Sequence, residues 1–187
     1  MKQSLWLPTD SGFSSPSIQQ SIQCDICIIG GGISGVYTAY SLAKEGFDVV
    51  LIEALPQFAN GTTAYSTGKL TVQHNLIYSK LTPEDGKIYY QANKFAIEKG
   101  ISENNSGFTR ATSYLYTSTS KGKEQLLNEA ELYKKIGIPF EATNETELNL
   151  PVELAIGIKN EGQINPVQFT NSFVHLARKY GAQLYLN

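Results

Sequence analysis

The apolar and polar positions between residues 24 and 53 predict a strand, a helix and a second strand in succession. A nearly continuous apolar run covers Cys24 to Ile29, which is typical of a strand buried on both faces of a parallel sheet. Apolar residues then recur at helical spacing until Lys44-Glu45-Gly46, where a cation and a glycine mark a helix end. The run from Asp48 to Glu53 predicts a second buried strand, which completes one βαβ unit of about 30 residues.

The remaining chain predicts an extended arm, a loop and a mixture of helices and strands. Residues 1–21 lack apolar periodicity and are rich in Ser, Gln and Pro, so we expect an N-terminal arm anchored by Trp6. The Gly-, Thr- and Ser-rich stretch 59–69 predicts a loop. The later elements are a helix over 83–102, a strand at 113–117, a helix over 121–136 closed by Gly137, a strand near 155–159, a turn through Glu161-Gly162, a helix from Pro166 to Tyr180 ended by Gly181, and a strand at 183–186.

Composition places the chain among globular proteins. Its 187 residues suit one domain or an incomplete piece of a larger protein, and 41% of them are apolar. A formal net charge of −2 gives no general attraction to nucleic acid, so we expect no nucleic-acid partner. No apolar run approaches the roughly 20 residues of a membrane span, and the N-terminus lacks the pattern of a secretory signal. We therefore expect a cytoplasmic protein.

The two cysteines invite a redox or metal interpretation that their surroundings disfavour. Cys24 and Cys27 have C-x-x-C spacing. However, residues three apart on a strand point to opposite faces, and no second Cys or His pair completes a zinc site. We expect both cysteines to be core residues and predict no metal site.

The strongest chemical signal is a glycine motif at the junction of the first strand and helix. Gly30-x-Gly32-x-x-Gly35 follows the predicted strand, and Glu53 ends the next strand at roughly the expected spacing of 20 residues. Gly30 permits the tight turn, Gly32 lets the main chain approach a pyrophosphate, and Gly35 lets the helix pack closely on the strand. The helix N-terminus favours the phosphates, and the Glu53 carboxylate suits ribose hydroxyls and disfavours the 2′-phosphate of NADP.

Two alternatives to this interpretation remain open on the motif alone. A glycine-rich turn with no ligand, followed by a surface glutamate, would show the same pattern. FAD and NAD also share the ADP half, so the motif does not choose between them.

Three longer segments carry a family resemblance. Asp25–Gly35, Ala39–Gly46 and Val49–Glu53 together resemble the opening of the D-amino-acid-oxidase-like FAD superfamily. Gly61–His74 resembles a subgroup whose members often carry a C-terminal Rieske iron–sulfur domain. Glu161–Phe169, followed by Leu176-Ala177 and Gly181–Leu184, also resembles the superfamily, so the resemblance runs from about residue 22 to the end.

The resemblance implies a fold and an activity. The fold is α/β: a partial Rossmann-like FAD-binding domain, with a parallel sheet and flanking helices, plus an inserted α+β segment of a substrate domain. The expected divisions are an arm over 1–21, an incomplete FAD-binding domain over 22–75 and 160–187, and the insertion over 76–159. The implied activity is FAD-dependent oxidation of an amine or amino-acid-like small molecule, with a Rieske domain as a possible partner in the complete protein.

Family members continue beyond the length of this chain, so we expect an N-terminal fragment whose independent activity is in question. The alternative is a truncated nucleotide-binding module without catalytic activity of its own. An NAD-dependent dehydrogenase suits the first 55 residues but not the later resemblance.

The resemblance extends the expected cofactor site into the loop after Glu53, although Ser and Thr are also ordinary loop residues. The predicted cofactor-binding residues are Gly30, Gly32, Ile33, Ser34, Gly35, Glu53, Ala54, Thr62, Thr63, Ser66, Gly68 and Lys69. A solvated position is the alternative for Lys69. Arg110 is a candidate for a substrate carboxylate or for a surface ion pair, and Tyr89-Tyr90 and Tyr114-x-Tyr116 for a substrate pocket or for packing. No catalytic residue is assigned; His74 is considered for catalysis, and His175 for packing or surface only.

Overall fold

A computed structural model describes residues 4–7, 13–104, 107–147 and 150–187. The chain forms two compact units: the first comprises 1–68, 104–108 and 164–187, and the second 69–103 and 109–163. Residues 69–75 and 160–163 therefore belong to the second unit, whereas the sequence assigns them to an FAD-binding domain. The domain division of the complete protein stays a prediction.

The described residues form seven strands and four α-helices. In chain order these are β1 (Ile26–Ile29), α1 (Ile33–Lys44), β2 (Val49–Glu53), β3 (Lys69–Leu70), α2 (Pro83–Glu103), β4 (Phe108–Thr117), α3 (Ser120–Ile136), β5 (Glu141–Thr143), β6 (Leu154–Ile164), α4 (Pro166–Lys179) and β7 (Gln183–Leu186). Short 3₁₀ turns lie at Thr62–Tyr65 and Tyr78–Lys80. We call Thr62–Tyr65 the threonine turn. None of the helices in the described ranges is long and apolar enough to cross a membrane.

The first unit contains a three-stranded parallel sheet in the order β1-β2-β7, which confirms the predicted βαβ unit and final strand. Local chemistry sets the helix ends. Gly46, with φ of 93°, follows the end of α1. The Asn165 side chain accepts hydrogen bonds from the Val167 and Gln168 N–H groups, both at 3.1 Å, and Pro166 occupies the first turn of α4. These residues confirm the predicted helix boundaries.

The prediction that the first strand is buried on both faces is wrong. Cys27 is exposed, Ile29 is 88% exposed, and Cys24 is only partly buried. In the parallel register Cys27 lies beside Val50 and Ile29 beside Ile52, so these side chains share one face of the sheet. β1 is the edge strand in the described chain, and α1 packs against the other face, where Gly35 approaches Ile28. An apolar run indicates which positions favour burial but not whether this chain supplies the covering layer.

The N-terminal arm has no helix or strand between residues 13 and 24 and follows the outer side of β7. Leu186 N donates to the carbonyl of Pro16 at 3.2 Å, and the Ser15 hydroxyl donates to the carbonyl of Leu184. These contacts satisfy main-chain groups at an edge that would otherwise be open to pairing with another strand.

The second unit contains a four-stranded sheet in the order β3-β6-β4, with β5 paired antiparallel to β6. α3 begins after Thr119, whose hydroxyl accepts from Gly122 N at 3.2 Å, and ends at Gly137 in the left-handed conformation. The apolar core of this unit includes Tyr78, Tyr133 and Ile156, none of which is exposed to solvent.

The predicted turn at Glu161-Gly162 is wrong, because β6 continues through both residues to Ile164. Gly162 pairs with Leu70 of β3. The glycine and the charge suggest a turn, but the Glu161 side chain is only 6% exposed and lies in the unit's interior. The loop predicted over 59–69 likewise contains the threonine turn and the first residue of β3.

Glu161 is the centre of a buried polar network. Its carboxylate accepts hydrogen bonds from Thr71 Oγ1 and Val72 N, both at 2.5 Å, and from the Ser113 hydroxyl. Gln73 N in turn donates to Thr71 Oγ1 at 2.9 Å. A carboxylate with three donors can remain inside a fold without an unsatisfied charge, so the network joins the segment after β3 to β4 and β6.

A second buried carboxylate secures the turn Tyr78–Lys80. Glu129 of α3 is fully buried, and its oxygens accept from Tyr78 N at 2.9 Å and from Ser79 N at 2.7 Å. Burial raises the pKa of the Tyr78 and Tyr133 hydroxyls well above the ordinary value, and nearby negative charge, including Glu129, adds to the rise. Both phenols are therefore neutral in the folded protein at physiological pH.

Candidate functional site

The glycine loop between β1 and α1 has the geometry that its motif predicts. Gly30 has φ of 106°, a conformation that favours glycine, and its N–H donates to Ile52 O at 2.8 Å. A Cβ on Gly35 would overlap the carbonyl oxygen of Gly30. The first turn of α1 therefore lies directly against the end of β1, and both positions require glycine for steric reasons.

Gly31, which the sequence analysis assigned no role, joins the loop to β2. Its N–H donates to Glu53 Oε2 at 2.6 Å. A Cβ there would lie 2.9 Å from the Glu53 Cβ and would overlap the ring of Phe58. The middle residue of Gly30-Gly31-Gly32 is thus glycine because a carboxylate and an aromatic ring pack against it. In the sequence, the run of three consecutive glycines was the signal that could have indicated this role of Gly31.

Two main-chain donors hold the Glu53 carboxylate in place. Oε2 accepts from Gly31 N, and the second oxygen, Oε1, accepts from Leu55 N at 2.7 Å. Ala54, which lies between Glu53 and Leu55 in the chain, is exposed. A carboxylate has about four acceptor positions, and these two contacts use one on each oxygen. The side chain is only partly buried, so the remaining positions can accept hydroxyl donors from a ligand.

The N-terminus of α1 offers donors to an anion. Ile33 N donates to Thr63 Oγ1 at 3.0 Å, and Gly32 provides no side-chain cap. Within the described ranges, the N–H groups of Ser34 and Gly35 have no hydrogen-bond acceptor. Two unpaired N–H groups at the positive end of a helix dipole favour a phosphate or carboxylate group.

The threonine turn brings only part of its loop to this helix. Thr63 is 8% exposed and contacts Ile33, whereas Thr62 and Ser66 are exposed. Gly68, with φ of 69°, lies farther along the chain, and its carbonyl accepts from Ile164 N at 2.7 Å. A Cβ on Gly68 would overlap the Ile164 carbonyl oxygen, so its glycine character has a structural explanation.

The other candidate residues are spread over both units. Lys69 is an exposed residue of β3 in the second unit, opposite Gln163. His74 Nδ1 lies 2.8 Å from the Tyr89 hydroxyl, a partner that its sequence neighbours did not indicate. In the first unit, His175 is exposed, with its ring centroid 4.6 Å from that of Phe13.

A cavity of about 530 Å³ in the second unit includes Tyr90 and Arg110 in its lining. The Arg110 guanidinium donates from Nη1 to the Asn160 carbonyl oxygen at 2.5 Å. The interpretation of Arg110 as a substrate-carboxylate ligand, and of the tyrosines as pocket residues, stays a prediction.

Comparisons with known proteins give matches that cover most of the chain. Residues 25–187 match the family model described as DAO, FAD dependent oxidoreductase. The chain is 38% identical, over 92% of its length, to the putative Rieske 2Fe-2S iron-sulfur protein YhfW of Bacillus subtilis, and covers 35% of that protein. It is 31% identical, over 91% of its length, to mitochondrial dimethylglycine dehydrogenase of Homo sapiens, and covers 20% of that protein.

The fold is also similar to a solved structure, that of glycine oxidase from Geobacillus kaustophilus. The TM-score is 0.73 at 20% identity, and the match covers 89% of this chain and 47% of that one. The chain thus spans about a third of the first relative and under half of the solved structure. The predicted α/β fold class, with a parallel sheet and flanking helices, is confirmed.

Proposed function

Because this chain belongs to the FAD-dependent oxidoreductase family, we propose that its glycine loop and Glu53 hold the ADP half of FAD. We further propose that the complete protein oxidises a C–N bond of an amine or amino-acid-like small molecule. The chemistry of hydride acceptance is supplied by the flavin when it is bound, and the protein's part is to bind and orient it.

One observation carries the cofactor proposal: two unpaired N–H groups at the start of α1 lie next to the glycine loop, which also holds the Glu53 carboxylate at the end of β2. Ser34 and Gly35 N–H groups would donate to the pyrophosphate, and the Glu53 oxygens would accept from the ribose hydroxyls. Gly32 supports this assignment because its missing side chain leaves the loop's outer surface to the main chain, with only Thr63 Oγ1 at 3.1 Å from a built Cβ. The residues present therefore fit the ADP group.

The proposal also includes the other predicted cofactor-binding residues. Gly30 and Ile33 would act through the main chain of the loop. Ala54, Thr62, Thr63, Ser66, Gly68 and Lys69 complete the proposed cofactor-binding set.

The substrate class rests on the names of similar proteins. One relative is named for dehydrogenation of dimethylglycine and one structural neighbour for oxidation of glycine, and both names denote chemistry at an amine. The Bacillus relative is named as a putative Rieske protein, which supports a Rieske domain as a partner in the complete protein. Family membership does not favour the alternative of a module without catalysis.

The test is flavin retention by two loop variants. Gly32→Val should block main-chain approach to the pyrophosphate, and Glu53→Ala should weaken FAD and ADP binding by about 10- to 100-fold, the equivalent of lost charge-assisted hydrogen bonds. The measurement is the visible absorption of protein after added FAD and desalting, with titrations of FAD, ADP and NAD. Glu45→Ala removes an exposed carboxylate at the far end of α1 and is the matched control. Unchanged FAD retention in both loop variants would contradict the assignment.

A further inference from the structure

The first described segment of the N-terminal arm is bound to the threonine turn. The Ser4 hydroxyl, on a residue only 8% exposed, donates to the Ala64 carbonyl. Trp6 N donates back to Ser4 Oγ at 3.1 Å, and Trp6 Nε1 donates to the Ser66 carbonyl at 2.9 Å. Two arm side chains therefore hold two main-chain carbonyls within and just after the turn.

Apolar packing supports the same attachment. Trp6 and Leu7 pack against a small cluster of Ala59, Ala64 and Val167, all of which are nearly or fully buried. The arm therefore covers the turn with an indole ring as well as donating to it. By contrast, the intervening Leu5 is 78% exposed and takes no part in this cluster.

The threonine turn is a weak element by itself. Two main-chain hydrogen bonds support it locally: Ala64 N donates to Gly61 O at 3.0 Å, and Ser66 N donates to Thr63 O at 3.3 Å. Short 3₁₀ turns have poor hydrogen-bond geometry, so their position depends on contacts from outside the turn. The arm supplies such contacts on one side, and Thr63 contacts α1 on the other.

Thr63 determines which N–H groups at the start of α1 are hydrogen-bonded within the protein. Its hydroxyl oxygen accepts the Ile33 N–H at 3.0 Å, while the next two N–H groups, of Ser34 and Gly35, have no acceptor in the described ranges. A displaced Thr63 would release the Ile33 N–H and open the helix terminus to water. The position of the turn thus defines the donor set that an anion meets.

We propose that the N-terminal arm is a positioning element of the nucleotide site, in which Ser4 and Trp6 hold the threonine turn so that Thr63 occupies the Ile33 N–H. The identity of the ligand rests on the proposed function, but the mechanical link does not. Ser4 and Trp6 touch no reacting group; they act through the turn. Loss of their contacts raises the rate at which the nucleotide leaves.

A separate attachment keeps the arm on the protein when this segment is altered. The Arg178 guanidinium lies 4.1 Å from the ring centroid of Phe13 and donates to the Ser14 carbonyl at 3.1 Å. Leu186 N donates to Pro16 O. Variants at Ser4 and Trp6 therefore test the turn contact without detaching the later part of the arm.

The first experiment is amide hydrogen exchange on the unliganded full chain, measured by NMR for wild type, Ser4→Ala, Trp6→Phe and the double variant. Trp6→Phe keeps an aromatic ring but removes the Nε1 donor. We expect exchange of the Ile33, Ala64 and Ser66 amides to become about tenfold faster in the double variant, because local opening is easier. Amides in β2 should be unchanged, and Leu5→Ala should match wild type throughout.

The second experiment measures dissociation of FAD and of ADP from the same proteins by stopped-flow displacement. The double variant should release both ligands about tenfold faster than wild type and Leu5→Ala. A wild-type chain that binds neither ligand sinks the proposed function, and the exchange data then decide the mechanical link alone. Unchanged exchange at Ile33 overturns the arm proposal; faster exchange with unchanged dissociation overturns its role at the nucleotide site.

Discussion

The two sheets of this protein use polar groups in opposite ways. In the parallel sheet of the first unit, the contacts at the end of β1 are made largely by main-chain N–H groups, and glycines make room for them. In the second unit, a buried side chain, Glu161, gathers donors from segments far apart in the sequence. A site built from main-chain groups can be recognised in the sequence as a short motif, whereas a network of side chains from distant segments cannot.

The difference has a physical cause. Anion binding by a helix N-terminus needs N–H groups in one short segment, so its requirements are local. A buried carboxylate needs any three donors that the fold brings together, and a hydroxyl or an N–H from any segment can serve. We therefore expect side chains added at the glycines to destabilise the first unit, and loss of the buried carboxylate to destabilise the second.

The largest expected effect is at Glu161. Replacement by Ala leaves Val72 N without its acceptor and opens a cavity in the interior, while the Ser113 hydroxyl can still donate to Gln73 Oε1, so we expect the free energy of unfolding to fall by about 3–5 kcal/mol. Urea unfolding followed by circular dichroism measures the change. Glu141→Ala is the matched control, because this carboxylate of β5 is exposed and its ion pair with Lys159 lies at the surface. Equal stability of the two variants would contradict the importance of the buried network.

The next effect is at Gly35. Gly35→Ala places a methyl group against the Gly30 carbonyl, and the cost of displacing α1 from β1 should be about 2–3 kcal/mol, with weaker ADP binding. Thermal unfolding with and without ADP measures both consequences. Thr38→Ala is the control, since this residue of α1 is exposed. A Gly35→Ala protein as stable as the control would show that the close approach is not required.

The smallest effect concerns Tyr133, whose buried hydroxyl makes no hydrogen bond of good geometry among the described residues, although the nearby Gln73 side chain opposes the rise of its pKa. Tyr133→Phe should change stability at neutral pH by less than about 1 kcal/mol, because no hydrogen bond is lost. The pKa of Tyr133 is raised by burial, so above pH 10 the unfolded state loses this proton first and stability falls as pH rises. Each such phenol contributes a slope of at most about 1.4 kcal/mol per pH unit.

Unfolding in urea between pH 8 and pH 11.5 checks this slope. Tyr133→Phe should flatten the alkaline loss, while Tyr78 retains its own contribution. An identical pH dependence in wild type and variant would show that Tyr133 ionises as readily when folded as when unfolded.

The sequence predicted the elements whose signals are local. Gly30 and Gly35, Pro166 and Gly137 each lie where a turn or helix end requires that residue type. It did not predict Thr63 as the partner of Ile33, because a hydroxyl thirty residues away has no pattern linking it to the helix. The nucleotide role of these residues stays a prediction.

The errors also follow from physical causes. Glu161-Gly162 suggested a turn because charge and glycine favour exposed bends, yet the interior supplies three donors for that charge. Ile29 suggested a buried strand, but its side chain is 88% exposed, although Val50 on the same face of the sheet is buried. In both cases the missing information was which distant segment would lie next to the residue in the folded chain.

The strand order β1-β2-β7 has a consequence for synthesis of the protein. Ser4, the glycine loop, Glu53 and the threonine turn all lie in the first 66 residues, whereas the partner on the far edge of β2 begins at Gln183. At about 5–20 residues per second, a ribosome needs roughly 10 s to cover that interval. During this time the growing chain carries a complete glycine loop beside a β2 edge with unpaired N–H and C=O groups. That edge is where mispairing with another nascent chain would begin.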